Sequence, residues 1–538
     1  MRFSYPPLKL RVPVCLKPVV SKFLYLAFLF IPFSVSCVYA QHETPVPTKQ
    51  PPQQPPKREL RAVWIATVAN IDWPSNKDLT ADLQKAEFIR ILDNLKKNGI
   101  NCVIVQVRDA ADAFYRKSRE PWSEWLNGEQ GVGPDPSYDP LEFFILEAHK
   151  RAMEIHAWVN PYRAVFDTRH SSVEETHITR KNPGWFFTYG TTKLFNPGIP
   201  GVRSYIVNVI MDIVRNYDID GLHMDDYFYP YPEKGQYIAD GATFQDFPAG
   251  FTNLNDWRRN NVNLLIHTLH DSILAAKPYV KFGISPFGTW KDITQDPAGS
   301  HTHGMNSFFD LYADTRLWVQ NGWVDYINPQ IYFAPNSHAI PFDTLTRWWD
   351  KNSFGRHLYI GFGAYKIGID KGSWRDPALI STEMDITRKY ANVQGQVFFS
   401  AQSMLADRLG FADTLQNKYY RYPALIPTMN WKDTVAPNPP IALRYSIGHD
   451  GIRLNWTASS LARDGDSARY YVVYRFEDNE AVDLENPKHI VKIIYQDTQF
   501  TDNFFTYDRN YFYVVTALDR LQNESLGTCN IYVDLKAK

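Results

Sequence analysis

The sequence predicts an eight-stranded parallel (β/α)8 TIM barrel with long insertions after its strands, followed by an antiparallel β-sandwich. Three observations lead to this fold class. Short apolar runs alternate with amphipathic segments from residue 58, the loops after the runs are longer than those before them, and the composition changes past residue 420. Near-continuous apolar runs alternating with helices indicate a parallel sheet. At 538 residues, the chain is also long enough for more than one domain.

The N-terminal 40 residues are predicted to be a signal peptide. Basic residues precede the apolar run FLYLAFLFIPFSVSCVYA, whose small-residue end predicts cleavage after Ala40. Cys37 leaves lipoprotein processing, and so a membrane attachment, as the alternative. Either route predicts an exported protein of the periplasm or cell envelope. Residues 41–57 are rich in Pro and Gln, which predicts an extended tether.

Eight strand candidates lie within the predicted barrel, residues 58–420. They are residues 61–68, 102–109, 154–162, 221–228, 281–288, 325–333, 357–365 and 395–402. Between them, segments such as 80–98 and 202–217 repeat apolar residues at helical spacing. Eight such units predict a closed barrel. An open doubly wound sheet is the rival, but it would usually have fewer units and a Gly-rich phosphate loop after the first strand.

The C-terminal region reads as a separate all-β module. Residues 421–435 are predicted to be a Pro-containing linker, and residues 436–538 contain short alternating strands between turns. Trp456 in an early strand, with the later runs YYVVYR and YFYVVTALD, resembles a fibronectin type III sandwich, an immunoglobulin-like fold. Such modules are spacers or docking surfaces, so a protein partner is an expectation for this region.

Composition narrows the function classes. A net charge of −1 gives no basic excess for nucleic acid, so no nucleic-acid partner is predicted. Aromatic residues make up 15% of the chain, and exposed rings would stack on the faces of sugars. Two of the four cysteines lie in the leader. The other two, Cys102 and Cys529, fall in different predicted domains, so no disulfide is expected.

The fourth apolar run, GLHMDDYFYP, ends in two aspartates, Asp225 and Asp226. Side chains alternate along a strand, so His223 and Asp225 share one face and the apolar Leu222 and Met224 the other. The apolar face suits the surrounding helices. We therefore expect His223 and Asp225 to point into the barrel, with Asp225 at its mouth and Asp226 starting the loop. A structural ion pair or a cap is the alternative for the aspartates.

Other strand ends supply further polar groups to the same face of the barrel, where TIM-barrel chemistry takes place. Glycoside hydrolysis needs two carboxyl groups, and adjacent residues on opposite faces are poorly placed as that pair. Asp112, after the second strand, is therefore a catalytic candidate beside Asp225 and Asp226. Arg108 is expected to orient a carboxylate or to bind an acidic sugar substituent. The predicted sugar-binding residues are Arg108, Asn160, Tyr162, Arg163, His223, Tyr227, Trp290, Gln330 and Tyr332.

Metal chemistry is the main competitor, and it is disfavoured. The sequence HTH at His301–His303 has the spacing of barrel metallohydrolases, but those place it on the first strand. Here it lies in a loop after the fifth strand candidate. We predict no metal site and no cofactor.

Several stretches together resemble the bacterial glycosyl-hydrolase-10-like family. They include RELRAVWIATVANIDWPS, VQVRDAADAFY, HAWVNPYR, IDGLHMDDYFYP, KFGISPFGTW and VDYINPQIYF. The resemblance spans about residues 58–420 and implies an exported barrel with glycosidase activity, related to the α-amylase and chitinase-like groups. One enterobacterial member looks like a divisome-associated hydrolase of peptidoglycan strands that lack stem peptides.

The resemblance also bears on the strand-four residues. The α-amylase group has Gly-x-Arg-x-Asp there, with the last Asp as nucleophile. Gly221, His223 and Asp225 match that pattern with His in the place of Arg, which favours Asp225 as nucleophile or base.

The residues and the resemblance together predict an exported glycoside hydrolase acting on a cell-envelope glycan, and the resemblance implies peptidoglycan without stem peptides as that glycan. The alternatives are a non-catalytic glycan-binding scaffold and a hydrolase of another polysaccharide.

Overall fold

A computed structural model describes residues 55–535 of the chain. The predicted signal peptide, Cys37 and nearly all of the predicted tether lie outside the described residues. Within the described residues, no helix is both long and apolar enough to cross a membrane.

Eight parallel strands close into a barrel, which confirms the predicted fold class. Their bounds are Leu60–Ile65 (β1), Cys102–Arg108 (β2), Glu154–Val159 (β3), Gly221–Met224 (β4), Lys281–Ile284 (β5), Tyr326–Ile327 (β6), His357–Phe362 (β7) and Val393–Phe398 (β8). Each strand pairs with its neighbours in sequence, and β8 closes the barrel by pairing with β1. Every predicted run overlaps one strand and extends past the C-terminal end of that strand; β1 and β8 begin one and two residues before their runs. Their last residues form the rim of the barrel mouth.

Helices surround the barrel. Those of eight residues or more are Ala81–Lys97, Pro140–Lys150, Pro200–Asn216, Leu254–Ala276, Phe342–Lys351 and Leu379–Thr387. The first helix begins where the Thr80 side chain accepts a hydrogen bond from the Leu83 N–H, and its buried face carries Phe88, Leu92 and Leu95. These residues join one large core between the helices and the outer faces of the strands.

A second core fills the barrel interior. Its residues include Ala62, Trp64, Ile104, Trp158, Tyr326, Tyr359 and Val397. Gly283 on β5 leaves room for the Tyr326 ring, because a Cβ there would lie 1.9 Å from Tyr326 Cζ. The barrel is therefore packed to its centre, and a ligand can enter only at its ends.

The loop after β3 carries a small antiparallel sheet beside the barrel mouth. Its strands are Arg163–Val165, Phe186–Tyr189 and Thr192–Phe195, and the last of these lies in the middle. This sheet gives a defined structure to part of the long predicted insertion at 163–199.

The C-terminal region forms two antiparallel sheets, as the sandwich prediction requires. The strands are Ile441–Gly448 (β9), Gly451–Thr457 (β10), Tyr470–Glu477 (β11), Ile490–Tyr495 (β12), Gln499–Asp502 (β13), Tyr511–Leu518 (β14) and Ile531–Val533 (β15). One sheet has the order β9-β10-β13 and the other β12-β11-β14-β15. Trp456, Tyr471 and Val515 pack in the core between them.

The sandwich contacts the N-terminal end of the barrel strands. The Gln522 amide lies 3.3 Å from a carboxylate oxygen of Glu154, at the start of β3. Arg469 forms an ion pair with Asp218 at 2.9 Å, just before β4. Lys57 pairs with Glu524 at 2.7 Å. The opposite end of the barrel, where β4 delivers its aspartates, is left clear of these contacts.

Both cysteines in the described region are free. Cys102 is buried in β2 and Cys529 is exposed in the sandwich.

Candidate active site

A cavity of about 400 Å³ opens at the C-terminal ends of the barrel strands. Every barrel strand or the loop that follows it contributes a wall residue. The lining residues are Trp64, Ala66, Val68, Ala69, Ile71, Gln106, Trp158, Arg163, Phe166, Asp225, Tyr227, Tyr231, Ser285, Gln330, Tyr332, Tyr365 and Phe399. Eight of these seventeen residues are aromatic, and they stand beside a few polar groups, which suits a sugar ring.

Strand β4 presents its side chains as the alternation predicts. Leu222 and Met224 pack into the core shared with the helices. His223 lies inside the barrel, where its ring nitrogens contact the Tyr326 hydroxyl at 3.0 Å and the Ser285 hydroxyl at 3.2 Å. Asp225 then reaches the cavity wall just after the strand ends.

Asp225 is a buried carboxyl group held by a ring of donors. One of its oxygens, Oδ2, accepts hydrogen bonds from the Asn160 amide and from Trp158 Nε1, the latter at 3.2 Å. The other, Oδ1, accepts from the Tyr227 N–H at 3.2 Å. Burial raises the pKa of Asp225, while the charge of Arg163 and these three donors oppose that rise. Burial outweighs these opposing effects, so the net shift of the Asp225 pKa is upward.

Asp226 lies behind the cavity wall and has a different environment. Its carboxyl accepts a hydrogen bond from the Tyr231 hydroxyl. Burial, reinforced by the negative charge of Asp225, raises the pKa of Asp226 to about 7. A substantial fraction of Asp226 therefore keeps its proton near neutral pH, next to a second carboxyl whose own rise is opposed by Arg163 and three donors. A carboxyl that keeps its proton beside another carboxyl is a candidate general acid.

Arg163 brings to the cavity a cation whose charge acts on Asp225 but which forms no ion pair at contact distance within the described chain. Its guanidinium lies over the ring of Tyr227 at 5.0 Å and that of Phe166 at 5.6 Å. Its only hydrogen bond among the described residues goes to the backbone carbonyl of Asp109, at 3.2 Å. No carboxylate of the described chain lies within ion-pairing distance of it. A buried cation without a partner anion is costly, so it marks a place where a ligand could supply the anion.

His223 forms the floor beneath the cavity and does not line it. Trp64 Nε1 donates to His223 Nε2 at 3.2 Å. Burial holds the pKa of His223 well below its usual range, so the imidazole is neutral. It supports Trp64 and Ser285, which do line the cavity. This placement differs from the predicted sugar-binding role, because the strand directs the ring into the packed interior.

Some of the predicted site residues line the cavity and the others do not. Those that line it are Arg163, Asp225, Tyr227, Gln330 and Tyr332.

Two more, Asn160 and Asp226, touch it from behind. The Asn160 carbonyl oxygen accepts a hydrogen bond from the Gln106 amide at 2.7 Å, and the Asn160 amide N–H donates one to Asp225, so Asn160 positions that carboxyl group.

Arg108 and Asp112 lie away from the cavity. Both nitrogens of the Arg108 fork are engaged by Glu120, at 2.6 and 2.8 Å, in a fully buried ion pair. The predicted contact of Arg108 with sugar is therefore corrected, since its charge is already neutralised. Asp112 is buried against Gln130, and burial with the nearby charge of Asp109 raises its pKa well above the usual range. It is buried and is not among the residues that line the cavity.

Tyr162 and Trp290 also lie in packed cores. Tyr162 is fully buried in the core beneath the helices, and its hydroxyl has no partner among the described residues. Trp290 stacks on Trp348 with ring centroids 5.8 Å apart, and its indole N–H donates to Asp314 at 2.9 Å. Their predicted role in sugar binding is corrected, because both rings turn outward toward the helices.

Several cavity residues were not predicted from the sequence. Trp64 on β1 and Trp158 on β3 face inward, and Tyr365 and Phe399 follow β7 and β8. The two tryptophans could have been predicted from the sequence, because side chains alternate along a strand and each tryptophan stands at a position that faces the barrel interior. Tyr231 was hidden in the aromatic run after Asp226.

Possible ligands for a metal lie elsewhere. In the part of the chain that the structure describes, one group of carboxylates could hold a cation, formed by Asp433, Asp464 and Asp466. None of these lines the cavity. The HTH histidines, His301 and His303, are both exposed in their loop and also lie outside the cavity lining.

The sequence was compared with protein families and with known proteins. The family model described as Glycosyl hydrolase-like 10 matches residues 59–377. The chain is 44% identical over 474 residues to Glycosyl hydrolase YngK of Bacillus subtilis (strain 168), which covers 87% of this chain and 92% of that protein. It is 37% identical over 345 residues to Glycosyl hydrolase DigH of Escherichia coli (strain K12), covering 60% of this chain and 78% of that protein.

Among solved structures, the glycoside hydrolase domain of PgaB (BpsB) from Bordetella bronchiseptica matches with 12% identity. Its TM-score is 0.43, and the match covers 67% of this chain and 98% of that chain. The catalytic domain of β-amylase from Paenibacillus polymyxa matches with 9% identity and a TM-score of 0.44, covering 68% of this chain and 99% of that chain.

Proposed function

The chain belongs to the Glycosyl hydrolase-like 10 family, and from that premise we propose that it cleaves peptidoglycan glycan strands that have lost their stem peptides. Relatives that align with most of its length are named glycosyl hydrolases, and the chain is accordingly a hydrolase of glycosidic bonds. The observation that carries the proposal is the pair Asp225 and Asp226 beside an aromatic cavity. Burial raises the pKa of both carboxyls, to about 7 for Asp226, while Asp225 accepts hydrogen bonds from three donors.

Arg163 supports an acidic sugar as the substrate. In peptidoglycan, the lactyl group of N-acetylmuramic acid ends in a free carboxylate only after the stem peptide has been removed. The unpaired guanidinium of Arg163 at the cavity wall could bind that carboxylate through two parallel hydrogen bonds. A stem peptide would convert the carboxylate into an amide and remove the charge. This would explain a preference for bare strands without any contact to the peptide.

The first experiment is digestion of purified glycan strands, with and without stem peptides, by residues 41–538. Products are read by mass spectrometry. We expect cleavage of bare strands by the wild-type chain and loss of cleavage in Asp225→Asn. Asp246→Asn is the matched control, because Asp246 is exposed in the loop after β4 and does not line the cavity. Failure of the wild type to cut either strand, with cleavage of another polysaccharide, would reject peptidoglycan as the substrate.

The role of Arg163 has its own test. We expect Arg163→Gln to lower kcat/KM on bare strands by on the order of 100-fold, because a buried charge pair with the ligand is lost. On strands whose lactyl carboxylates have been converted to amides, wild type and Arg163→Gln should be equally slow. Arg169→Gln, an exposed arginine of the same loop, is the control. An equal loss on both substrates would show that Arg163 serves Asp225 instead of the sugar.

Export to the periplasm or cell envelope, with lipid attachment through Cys37 as the alternative, is part of the same proposal. Cell fractionation and a Cys37→Ser variant separate the two routes. A protein partner for the C-terminal sandwich stays a prediction, and crosslinking in intact cells is the direct test.

A further inference from the structure

The cavity contains a single carboxylate. Among its described lining residues, Asp225 is the only acidic side chain, and Asp226 stands next to it on the same strand end. In the closed barrel, β8 and its neighbours lie across from β4. The walls on that side are formed by Trp64, Tyr365 and Phe399. The far wall, as described, therefore presents rings and no acid.

This layout conflicts with the usual mechanisms of glycoside hydrolysis. Those mechanisms place two carboxyl groups on either side of the bond to be cut, about 5–5.5 Å apart for retention and about 6.5–9.5 Å apart for inversion. Asp225 and Asp226 come from consecutive positions and approach from one side. Across the cavity from Asp225, no lining residue carries a carboxyl group. Asp72 lies behind Ala66 on that side, and its carboxyl already accepts hydrogen bonds from the Ala66 N–H, the Ser400 hydroxyl and the Gln402 N–H, each at 2.7 Å, so it is not free to attack the sugar or to activate water.

We propose that the missing nucleophile is the substrate's own 2-acetamido group, so that the cavity acts on β-linked 2-acetamido-2-deoxyhexosides. The proposal rests on the proposed function, because both sugars of a peptidoglycan strand carry this group. Substrate-assisted hydrolysis is a known exception to the two-carboxylate scheme. We infer substrate assistance here because the cavity is lined by one carboxyl group, Asp225, and faces it with aromatic rings.

The reaction has two steps, and its atoms balance. In the first, the glycosidic oxygen takes the place of the hydroxyl of Tyr231, a lining residue that bonds Asp226, and Asp226 gives that oxygen its proton. The bond from C1 to the glycosidic oxygen breaks, and the acetamide oxygen bonds to C1. The product is a cyclic oxazolinium ion. In the second, water attacks C1, the ring bond from C1 to the acetamide oxygen breaks, and the proton from water returns to Asp226. The net change is hydrolysis with retained configuration at C1.

Asp225 has the right contacts to orient the acetamide. Its Oδ2 is occupied by Asn160 and Trp158, whereas Oδ1 accepts only the Tyr227 N–H. Oδ1 therefore has capacity to accept the acetamide N–H. That hydrogen bond strengthens as positive charge develops on the nitrogen, so it favours the transition state over the bound substrate.

The neighbouring walls suit the rest of the group. Trp64 and Trp158 line the cavity with apolar surface that a methyl group could contact. Tyr332 also lines it, and no hydrogen bond from a described residue occupies its hydroxyl. We assign Tyr332 as the donor that positions the acetamide oxygen for attack on C1.

The test replaces the acetyl group while keeping the strand. Bare glycan strands are chemically de-N-acetylated and re-acylated with acetyl, monofluoroacetyl, difluoroacetyl or trifluoroacetyl groups. Fluorine withdraws electrons from the carbonyl oxygen and weakens it as a nucleophile with little change in size. We expect kcat to fall with each fluorine, by on the order of 100-fold across the series. Re-propionylated strands control for bulk, since that acyl group is larger but equally nucleophilic.

Each outcome bears on a different claim. A kcat that stays flat across the fluorinated series, with cleavage of re-acetylated strands intact, overturns the acetamide nucleophile and leaves the proposed function standing. No cleavage of re-acetylated strands rejects the proposed function, and this inference with it. As a second measurement, a thiazoline analogue of the cyclic intermediate should compete with bare strands. Its affinity should fall in Asp225→Asn and not in Asp246→Asn, and equal affinity in both would also overturn the assignment.

Discussion

Removing the Tyr231 hydroxyl should move the alkaline limit of activity upward. Tyr231 donates a hydrogen bond to Asp226, which stabilises the ionised carboxylate and opposes the rise of its pKa to about 7. A hydrogen bond to a charged group contributes about 1.5–3 kcal/mol, and one pKa unit corresponds to about 1.4 kcal/mol. The protonated acid keeps part of that bond, so we expect Tyr231→Phe to raise the pKa of Asp226 by roughly one unit.

The assay is the pH dependence of kcat/KM on bare strands between about pH 5 and pH 9. If Asp226 is the general acid, activity requires its protonated form and falls as pH rises through its pKa. The descending limb should therefore shift from near pH 7 toward roughly pH 8 in Tyr231→Phe. The absolute rate is not the readout, because Tyr231 also lines the cavity and contributes to binding.

Tyr237→Phe is the matched control, since Tyr237 lies in the same loop and is 79% exposed. Its descending limb should coincide with that of the wild type. A limb in Tyr231→Phe that stays in place, or that moves to lower pH, would refute Asp226 as the group whose proton limits the reaction.

Three further predictions concern stability. Lys281→Met should lower the free energy of unfolding by about 3–5 kcal/mol in chemical denaturation. The reason is that the buried Glu154 carboxylate, which lies 2.6 Å from Lys281 Nζ, would lose its cation. Adding Glu154→Gln should restore most of the loss, and no recovery would refute the charge argument. Gly283→Ala should broaden or lower thermal unfolding, because its Cβ would overlap the Tyr326 ring; an unchanged midpoint would contradict the packing. Asp226→Asn should raise stability at pH 8 by on the order of 2–4 kcal/mol. The folded chain holds the Asp226 proton more tightly than the unfolded chain, so the wild type loses stability as pH rises toward about 7; the gain should vanish at pH 3, and a gain at both pH values would exclude this cause.

The barrel could be predicted because its signal is repeated. Eight apolar runs separated by amphipathic segments leave few alternative folds, and β4 alone predicts its own inward face through the alternation of Leu222, His223 and Met224. Position along the chain also placed Asp225 at the mouth, since active residues follow the strand ends.

The site chemistry was harder to predict because it depends on partners that are distant in sequence. Arg108 looks like a free cation until Glu120 is seen folding back across the loop onto it. Arg163 looks equivalent in sequence, yet it has no ion-pair partner among the described residues. Nothing local to either arginine separates the two cases. The loop conformations decide that Arg108 forms an ion pair within the fold and that Arg163 remains available to a ligand.

Buried charged groups are paired at the N-terminal end of the barrel, and those at the cavity in its C-terminal end form no ion pair within the described chain. This difference indicates that the C-terminal end carries the active site. At the N-terminal end, Glu154 is closed against Lys281, so its charge is compensated. At the C-terminal end, Asp225, Asp226 and Arg163 form no ion pair among the described residues, although all three are buried. Arg163 and Asp225 act on each other only at longer range, and native chains rarely leave buried charges without a contact partner unless the charges have a use, since each costs stability. The opposite signs expected for the Lys281 and Asp226 variants follow from this contrast. Removing a charged group should raise stability at the C-terminal end, where the charge is kept for a substrate. It should lower stability at the N-terminal end, where the charge holds the fold.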